Sequence, residues 1–355
     1  MNENQRSLYL ADEHMMLPEA MQKIDDNAKG ILFVTDCAGK LCGAVSDGDI
    51  RRWILKTGSI AAEIRLLMNT DPKYIRYSDN ADPYTFMEEA SIRALPVVDE
   101  QMMIQNILFA DNKGKENLEK KGGLENISVI VMAGGKGTRL YPFTKILPKP
   151  LIPIGDIPIV ERIINYFHEY GITDFLMTVN YRKNMIKSYF SEIDKDYKIE
   201  YIEEEKALGT AGGIKLARRV FKRPLFIANC DSLIRADYLE LFEFHQKSGN
   251  AITIVTAMKN DIIPYGVVYS RENGEITNMV EKPHRSYFVN TGMYVINPEM
   301  IELIPEDTFF HMTDLTEKAI EKGYKVGMYP VSEDSFLDMG EFEEMKRMEE
   351  KLNLE

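Results

Sequence analysis

Met132-Ala133-Gly134-Gly135-Lys136-Gly137-Thr138-Arg139-Leu140 follows directly on the apolar run Ile127-Ser128-Val129-Ile130-Val131. An apolar segment of that length running into glycines reads as a strand buried on both faces, the kind that parallel sheets contain. Gly134, Gly135 and Gly137 open backbone dihedrals closed to other residues and let the chain approach a ligand closely. Their N–H groups, with that of Ala133 before them and Thr138 after, can line a nest for anionic oxygens, and Lys136 and Arg139 add positive charge. The spacing fits neither the dinucleotide fingerprint GxGxxG nor the Walker pattern GxxxxGK[ST]. Immediately downstream, Tyr141-Pro142-Phe143-Thr144-Lys145-Ile146-Leu147-Pro148-Lys149-Pro150-Leu151 is stiffened by prolines that restrict φ and confine Lys149 to a narrow range of positions. A fixed lysine opposite a glycine nest suits a triphosphate.

Working outward, the pattern alternates between strand and helix. Pro158 to Tyr170 predicts a helix stopped by Gly171, Thr173 to Asn180 a strand, Ala211 to Phe221 a helix, Pro224 to Asp231 a strand, and Asn250 to Met258 another. Such alternation predicts an α/β domain with a mainly parallel sheet, whose ligands sit beyond the carboxyl ends of the strands. Asp231 closes one of those strands. Asp338 lies far downstream in Phe336-Leu337-Asp338-Met339-Gly340. Each alone fits a turn or a cap. Taken with the glycine loop they read as hard oxygen ligands for Mg²⁺, which takes one or two carboxylates and fills its shell with phosphate and water.

Upstream of the loop, residues 111–126 are polar, lysine-rich and hold three glycines, which is linker chemistry or a solvated surface loop. Before them, Ile31 to Asp36 and Leu41 to Ser46 predict two strands around Ala38-Gly39-Lys40, followed by a helix from Asp49 that stops at Gly58. Ala94 to Asn112 gives a second, weaker strand–turn–strand copy, as expected of a pseudo-twofold domain. The predicted division is 1–118 for that domain, 119–126 for the linker and 127–355 for the α/β domain.

Across 355 residues the formal net charge is -13, which argues against sequence-independent nucleic-acid binding through clustered cations. The apolar fraction of 45% and charged fraction of 28% are those of a globular protein. Cys37, Cys42 and Cys230 form no metal or disulfide spacing. No apolar run reaches a membrane span and the first ten residues lack an apolar signal core, so a cytoplasmic protein is expected. The carboxy-terminal stretch shows no hexapeptide repeat of a fused β-helix.

The stretch GGKGTRLYPFT…LPKPLIPI resembles the opening signature of the sugar-1-phosphate nucleotidyltransferases, and similar motifs recur in order through residues 127–345. The resemblance implies a Rossmann-like core with a mixed, mainly parallel sheet. It also implies attack of a sugar 1-phosphate oxygen on the α-phosphorus of a nucleoside triphosphate, with pyrophosphate leaving. Arg139 and Lys149 would then stabilise the leaving group and the α-phosphate, and Asp231 and Asp338 would bind Mg²⁺. For the sugar phosphate the matching positions are Gly266 in Tyr265-Gly266-Val267, Glu281 and Lys282 in Glu281-Lys282-Pro283, and Asn290 in Asn290-Thr291-Gly292; surface or turn roles remain open for these residues.

Gly209 and Thr210 lie in the segment that borders the base, and relatives carry a base-reading side chain five residues before Gly209, here Glu204. Guanine presents N1–H and N2–H₂ together, which an acceptor-only carboxylate matches, whereas glutamine suits uracil and thymine. GTP is therefore the expected donor, with UTP or dTTP as the alternative. A solvated run of glutamates is the plainer account of residues 203–205. The amino-terminal copies resemble an α+β pair of CBS motifs, in which Ser46 and Asp49 match the residues that hold an adenosine phosphate; Asp49 also stands where a helix N-cap belongs. The second copy departs from the motif at Asn106, Phe109 and Asn112. Proteins arranged in this way resemble guanylyltransferases of bacterial surface-sugar pathways acting on glucosamine 1-phosphate or mannose 1-phosphate, and a homo-oligomer is expected. The competing reading is an inactive transferase domain attached to a nucleotide sensor.

Overall fold

The computed structural model describes residues 6–27, 29–76, 82–110, 122–340 and 342–352. By internal contacts the chain divides into two units. The first gathers Met1–Leu118, Met258–Phe288 and Pro330–Asp334, and the second Glu119–Ala257, Val289–Tyr329 and Ser335–Glu355.

In the first unit the same small motif occurs twice. Leu10–Asp12, Ile31–Thr35 and Leu41–Ser46 form one three-stranded sheet, and Ile75–Arg76, Ala94–Val98 and Ile104–Phe109 form another. Each begins with a parallel pair and ends with an antiparallel hairpin, and each hairpin slips register at the matching place, at Val34/Thr35 and Val97/Val98. Helices Leu17–Asn27 and Pro83–Glu89 bridge the first two strands of each copy. The two sheets share one core in which Phe33, Leu41 and Ala44 meet Val98, Ile107 and Phe109. Gly43 is needed where the hairpin touches Met68, because a Cβ there would lie 2.6 Å from its Sδ.

The helix after the first hairpin runs from Asp47 to Thr57 and ends, as expected, on Gly58 in the left-handed region. Its N-cap is Ser46, not Asp49. Asp49 is the third helical residue and completes a capping box, accepting from the Ser46 backbone N–H at 2.9 Å and from its hydroxyl at 2.6 Å. Of the positions where the second copy departs from the motif, Asn106 and Phe109 lie on strand Ile104–Phe109 and Asn112 lies outside the described residues.

The second unit is built on a seven-stranded sheet. Its strands in chain order are β1 (Ser128–Ala133), β2 (Asp174–Val179), β3 (Lys198–Glu203), β4 (Leu225–Asn229), β5 (Ile252–Ile262), β6 (His284–Ile296) and β7 (Val326–Val331). They lie side by side as β3-β2-β1-β4-β6-β5-β7. The first four are mutually parallel and β4 pairs antiparallel with β6, so the sheet is mixed. Val129 to Ala133 are all buried, as a central strand covered on both faces demands. Helix Ile159–His168 packs Ile163, Ile164 and Phe167 inward, and Phe167 meets Phe226 of β4 edge to face.

The segment from Ala211 to Phe221 differs from the expected helix. Gly209–Gly212 makes a single α-turn, Gly213–Leu216 a 3₁₀ turn, and Ala217 leaves helical geometry at ψ 108°. Three glycines remove the propensity needed to propagate a helix. They are retained by close approach: a Cβ on Gly209 would lie 2.6 Å from the Phe310 carbonyl, and one on Gly212 2.5 Å from that of Thr308.

Candidate active site

The four parallel strands deliver the walls of one cavity at their carboxyl ends. Gly134 follows β1, Thr178 is the penultimate residue of β2, Glu204 follows β3, and Asn229 to Asp231 end and follow β4. The register holds them on neighbouring rungs, since Met132 of β1 pairs with both Thr178 and Asn229. This cavity, of about 430 Å³, is further lined by Gly135, Gly137, Thr138, Arg139, Lys149, Gly209 and Thr210.

Gly137 explains why the glycine loop and Lys149 meet. It takes φ 64°, and a Cβ there would stand 2.8 Å from Lys149 Cβ. The proline-flanked 3₁₀ turn Lys149–Leu151 buries that lysine to 7% exposure. Its ammonium forms an ion pair with Asp231. Arg139, by contrast, is exposed and lines the cavity from the turn Thr138–Leu140. Ala133 is buried at the end of β1 and Lys136 is exposed on the loop; neither is among the lining residues.

Asp231 and Asp338, separated by more than a hundred residues, are brought together by a two-stranded ribbon. Ser232–Ile234 pairs antiparallel with Phe336–Asp338 so that Ser232 stands opposite Asp338. The Ser232 hydroxyl donates to Asp338 Oδ1 at 2.9 Å and approaches Asp231 Oδ1 at 3.5 Å, and the Met339 N–H donates to the Asp231 carbonyl at 2.9 Å. Burial, then the charge of Asp231, pushes the Asp338 carboxyl above its ordinary range, and Glu344 adds to the effect; the Ser232 hydrogen bond and Lys149 oppose it. A second cavity of about 260 Å³ opens here, lined by Arg139, Asp231, Ser232, Asn290, Gly292, His311 and Asp338 among others.

The pair fits a divalent cation. Two carboxylates share a hydroxyl, and the charge of one raises the other, so a cation between them would relieve a repulsion that Lys149 only partly offsets. Among the described residues no cluster of three or more histidine, cysteine, aspartate or glutamate ligands is present. Such a site suits an ion that takes few carboxylates and completes its shell from phosphate and water.

The glutamate run is not uniformly solvated. Glu203 is exposed and pairs with Lys183 and Lys187, Glu205 is exposed, and Glu204 alone is buried, to 5% exposure. Burial pushes the Glu204 carboxyl up, while hydrogen bonds from the Leu208 N–H and from Thr178 pull it down. It is wedged between two glycines: a Cβ on Gly134 would lie 3.0 Å from Oε1, and one on Gly213 2.3 Å.

Asn290 lies on β6, its amide donating to the Tyr294 hydroxyl at 2.6 Å and its oxygen accepting from the Gly292 N–H at 3.0 Å. Gly292, at φ 80°, lets Asn229 approach closely. Gly266, Glu281 and Lys282 belong to the first unit, at the base of the hairpin Val267–Ser270/Ile276–Val280. A Cβ on Gly266 would touch Glu281 Oε2 at 2.8 Å. Their assignment to a sugar phosphate rests on the sequence resemblance alone. Ser46 and Asp49 are joined to each other, and Asp49 also pairs with Arg52 at 2.6 Å.

Sequence reasoning missed Thr178, Asn229, Phe309 and His311, all of which line the first cavity. The two strand-end residues were legible as positions on the ligand side of a parallel sheet. Phe309 and His311 carried no such signal, because nothing in Thr308-Phe309-Phe310-His311 indicates that it returns to the glycine segment.

Residues 128–354 match the family model for nucleotidyl transferases, and residues 5–56 match that of the CBS domain. Mannose-1-phosphate guanyltransferases of Debaryomyces hansenii and Candida albicans are each 38% identical to this chain over 184 residues, 49% of this chain and 51% of each relative. The chain thus spans about half the length of these curated relatives. Among solved structures, HddC from Yersinia pseudotuberculosis aligns with a TM-score of 0.51 and 24% identity over 64% of this chain and 99% of its own, a likeness of fold. Among the described residues, no helix is long and apolar enough to cross a membrane.

Proposed function

The chain belongs to the nucleotidyl transferase family, and from that premise we propose that it transfers a nucleoside monophosphate, preferentially from GTP, to a sugar 1-phosphate of the mannose or glucosamine kind. The observation that carries this reading is the shared contact of Asp231 and Asp338 with Ser232, with Asp231 also paired to Lys149 on the wall of the cavity that the glycine loop lines. An anionic acceptor phosphate is already a nucleophile near neutral pH. Its oxygen forms the new bond to the α-phosphorus, the bond from that phosphorus to the bridging oxygen of the β-phosphate breaks, and pyrophosphate leaves with the electron pair. No general base is required, and catalysis reduces to positioning and charge stabilisation.

The N–H groups around Gly134 to Thr138 would hold the β- and γ-phosphates, with Arg139 on the leaving group and Lys149 released from Asp231 to the α-phosphate. Asp231 and Asp338 would hold a magnesium ion, which when bound supplies positive charge to the phosphoryl oxygens. Glu204, buried beside Gly134, would accept from guanine N1–H and N2–H₂, and Gly209 and Thr210 would border the nucleoside. The relatives named guanyltransferases favour the same base.

The reading extends to the rest of the chain. Residues 1–118 would serve as a CBS pair that regulates or dimerises, with Ser46 and Asp49 on an adenine nucleotide, followed by a linker at 119–126 and the transferase at 127–355. The protein would act as a cytoplasmic homo-oligomer supplying nucleotide sugars for surface glycans. Pyrophosphate release, measured with GTP, UTP, dTTP, CTP and ATP against mannose 1-phosphate, glucosamine 1-phosphate and glucose 1-phosphate in Mg²⁺, tests it. Turnover fastest with GTP is expected; no turnover with any pair would leave the sensor reading standing.

A further inference from the structure

Two reactants that exchange a phosphoryl group must meet at one point, and residues that wall both of their cavities are the ones able to touch that point. The cavities of about 430 Å³ and about 260 Å³ have Met132, Arg139, Thr210, Asn229, Asp231 and His311 in common. Arg139 and Asp231 already carry roles in the proposed reaction, Thr210 belongs to the nucleoside border, Met132 offers no hydrogen bond, and the Asn229 amide is packed against Gly292, where a Cβ would lie 2.2 Å from its nitrogen. His311 is a titratable, hydrogen-bonding side chain at this junction with no part in the reaction described so far.

Its surroundings determine what it offers. The Thr210 N–H donates to His311 Nδ1 at 3.4 Å, and the Thr210 hydroxyl lies at the same distance. That hydroxyl in turn accepts from the Met312 N–H at 2.9 Å. A ring whose Nδ1 accepts a backbone N–H carries its proton on Nε2. The backbone fixes the ring as well: His311 is the N-cap of helix Met312–Glu321, and its own N–H donates to Asp314 at 2.7 Å. Phe309 packs edge to face against the imidazole at 4.8 Å between centroids. The outcome is a held imidazole whose Nε2–H has no partner among the described residues, on the wall of both cavities.

We infer that His311 donates this Nε2–H to the phosphate of the incoming sugar 1-phosphate, positioning the acceptor for attack. The inference deepens the proposed nucleotidyl transfer and rests on it. A donor at this place complements an anionic oxygen, and the second cavity is the one that also contains Asn290, Ser232 and Asp338. The role differs from that of Arg139, whose guanidinium is exposed and unpaired among the described residues and is assigned to the leaving group.

Three variants separate this role from helix capping. Asparagine reproduces the Nδ1 acceptor and is a good N-cap, but has no group at the Nε2 position. Glutamine reaches the Nε2 position with an N–H and caps poorly. In the full chain with Mg²⁺, GTP and the sugar 1-phosphate that wild type prefers, His311→Asn is expected to lose about tenfold or more in kcat/KM for the sugar 1-phosphate, a loss of about 1.4 kcal/mol or more in transition-state stabilisation. Its calorimetric affinity for GTP and its thermal midpoint should stay at wild-type values. His311→Gln should retain more of kcat/KM than His311→Ala. Wild-type kcat/KM in His311→Asn would overturn the inference while leaving the transfer reaction intact, as would a loss confined to GTP binding. Absence of turnover in wild type itself would instead remove the reaction on which it stands.

Discussion

Ser232 stands in antiparallel register with Asp338 and donates its hydroxyl to Asp338 Oδ1 at 2.9 Å. Because Ser232 is the neighbour of Asp231, this one rung converts a long sequence separation into a pair of adjacent carboxylates. The ribbon is backbone-paired on both sides of the contact, so the geometry does not depend on long side chains finding one another in solvent.

Asp231→Asn and Asp338→Asn should each lower kcat by about a hundredfold or more, the scale for losing a group that organises transition-state charge. Stability should respond differently. Asp338 has its carboxyl raised by burial and by Asp231, so its ionised form opposes folding above the folded-state pKa. Asp338→Asn removes that charge and should melt no lower than wild type at pH 8. Circular dichroism melts beside pyrophosphate release check both halves. A variant that is inactive because it is unfolded would contradict the assignment.

Metal dependence follows from the same pair. Chelation by EDTA should abolish turnover and added Mg²⁺ should restore it in wild type, while Asp231→Asn should require a much higher Mg²⁺ concentration for whatever activity remains. Turnover that survives exhaustive chelation would exclude the ion from the reaction.

Gly137→Ala tests whether the loop and Lys149 act together. The substitution puts a Cβ 2.8 Å from Lys149 Cβ at a residue with φ 64°. The strain is on the order of 1 kcal/mol from the backbone alone. The expected outcome is a fall in kcat of about tenfold or more with a folded protein, since a small displacement of a charge at the reacting centre is costly. An unchanged kcat would show that Lys149 tolerates movement and has no exacting role.

Much of this site was legible in the sequence, and what was not has a physical reason. The glycine loop, Lys149 and the two aspartates were readable because strand ends and glycines constrain chemistry locally. Glu204 was singled out among three glutamates by its distance from Gly209, yet only packing shows that Glu204 is the buried one, with Glu203 tied to lysines and Glu205 in solvent. The helix expected after Ala211 stopped early because its glycines serve close approach to Phe310, Thr308 and Glu204 rather than helix propagation. Ser46, not Asp49, caps its helix: the two form a capping box in which the hydroxyl residue is the cap and Asp49, three residues on, reaches back to it. His311 was invisible because its importance arises from a tertiary return of residues 308–311 to Thr210.

Glu204→Gln should weaken discrimination for GTP. A carboxylate accepts from both donors of the guanine edge, whereas an amide presents one acceptor and one donor and so matches uracil or thymine better. Losing a matched buried contact is worth about 1–3 kcal/mol, so the ratio of kcat/KM for GTP over UTP should fall by roughly 5-fold to 150-fold. Competition assays with both triphosphates measure that ratio directly. An unaltered ratio would take Glu204 out of base recognition, and its burial would then be structural.

Asp25 offers a test of stability that is independent of the active site. It lies on helix Leu17–Asn27, and its Oδ1 has no hydrogen-bond partner among the described residues. Burial comes first in raising its carboxyl to about 7, followed by Asp334, Asp47 and Glu333, with a Ser332 hydrogen bond acting the other way. Asp47 is itself raised to about 6 by burial and by Asp334, against the pull of Arg51. An acid whose folded pKa exceeds its unfolded one binds more protons when folded. The contribution of Asp25 therefore becomes unfavourable as pH rises through the window from about 4 to about 7, and is fully unfavourable above it. Asp25→Asn should raise the melting temperature by a few degrees at pH 8, and that gain should shrink towards zero near pH 4. A gain from Asp25→Asn that is equal at both pH values would mean that its shape, and not its charge, opposes folding.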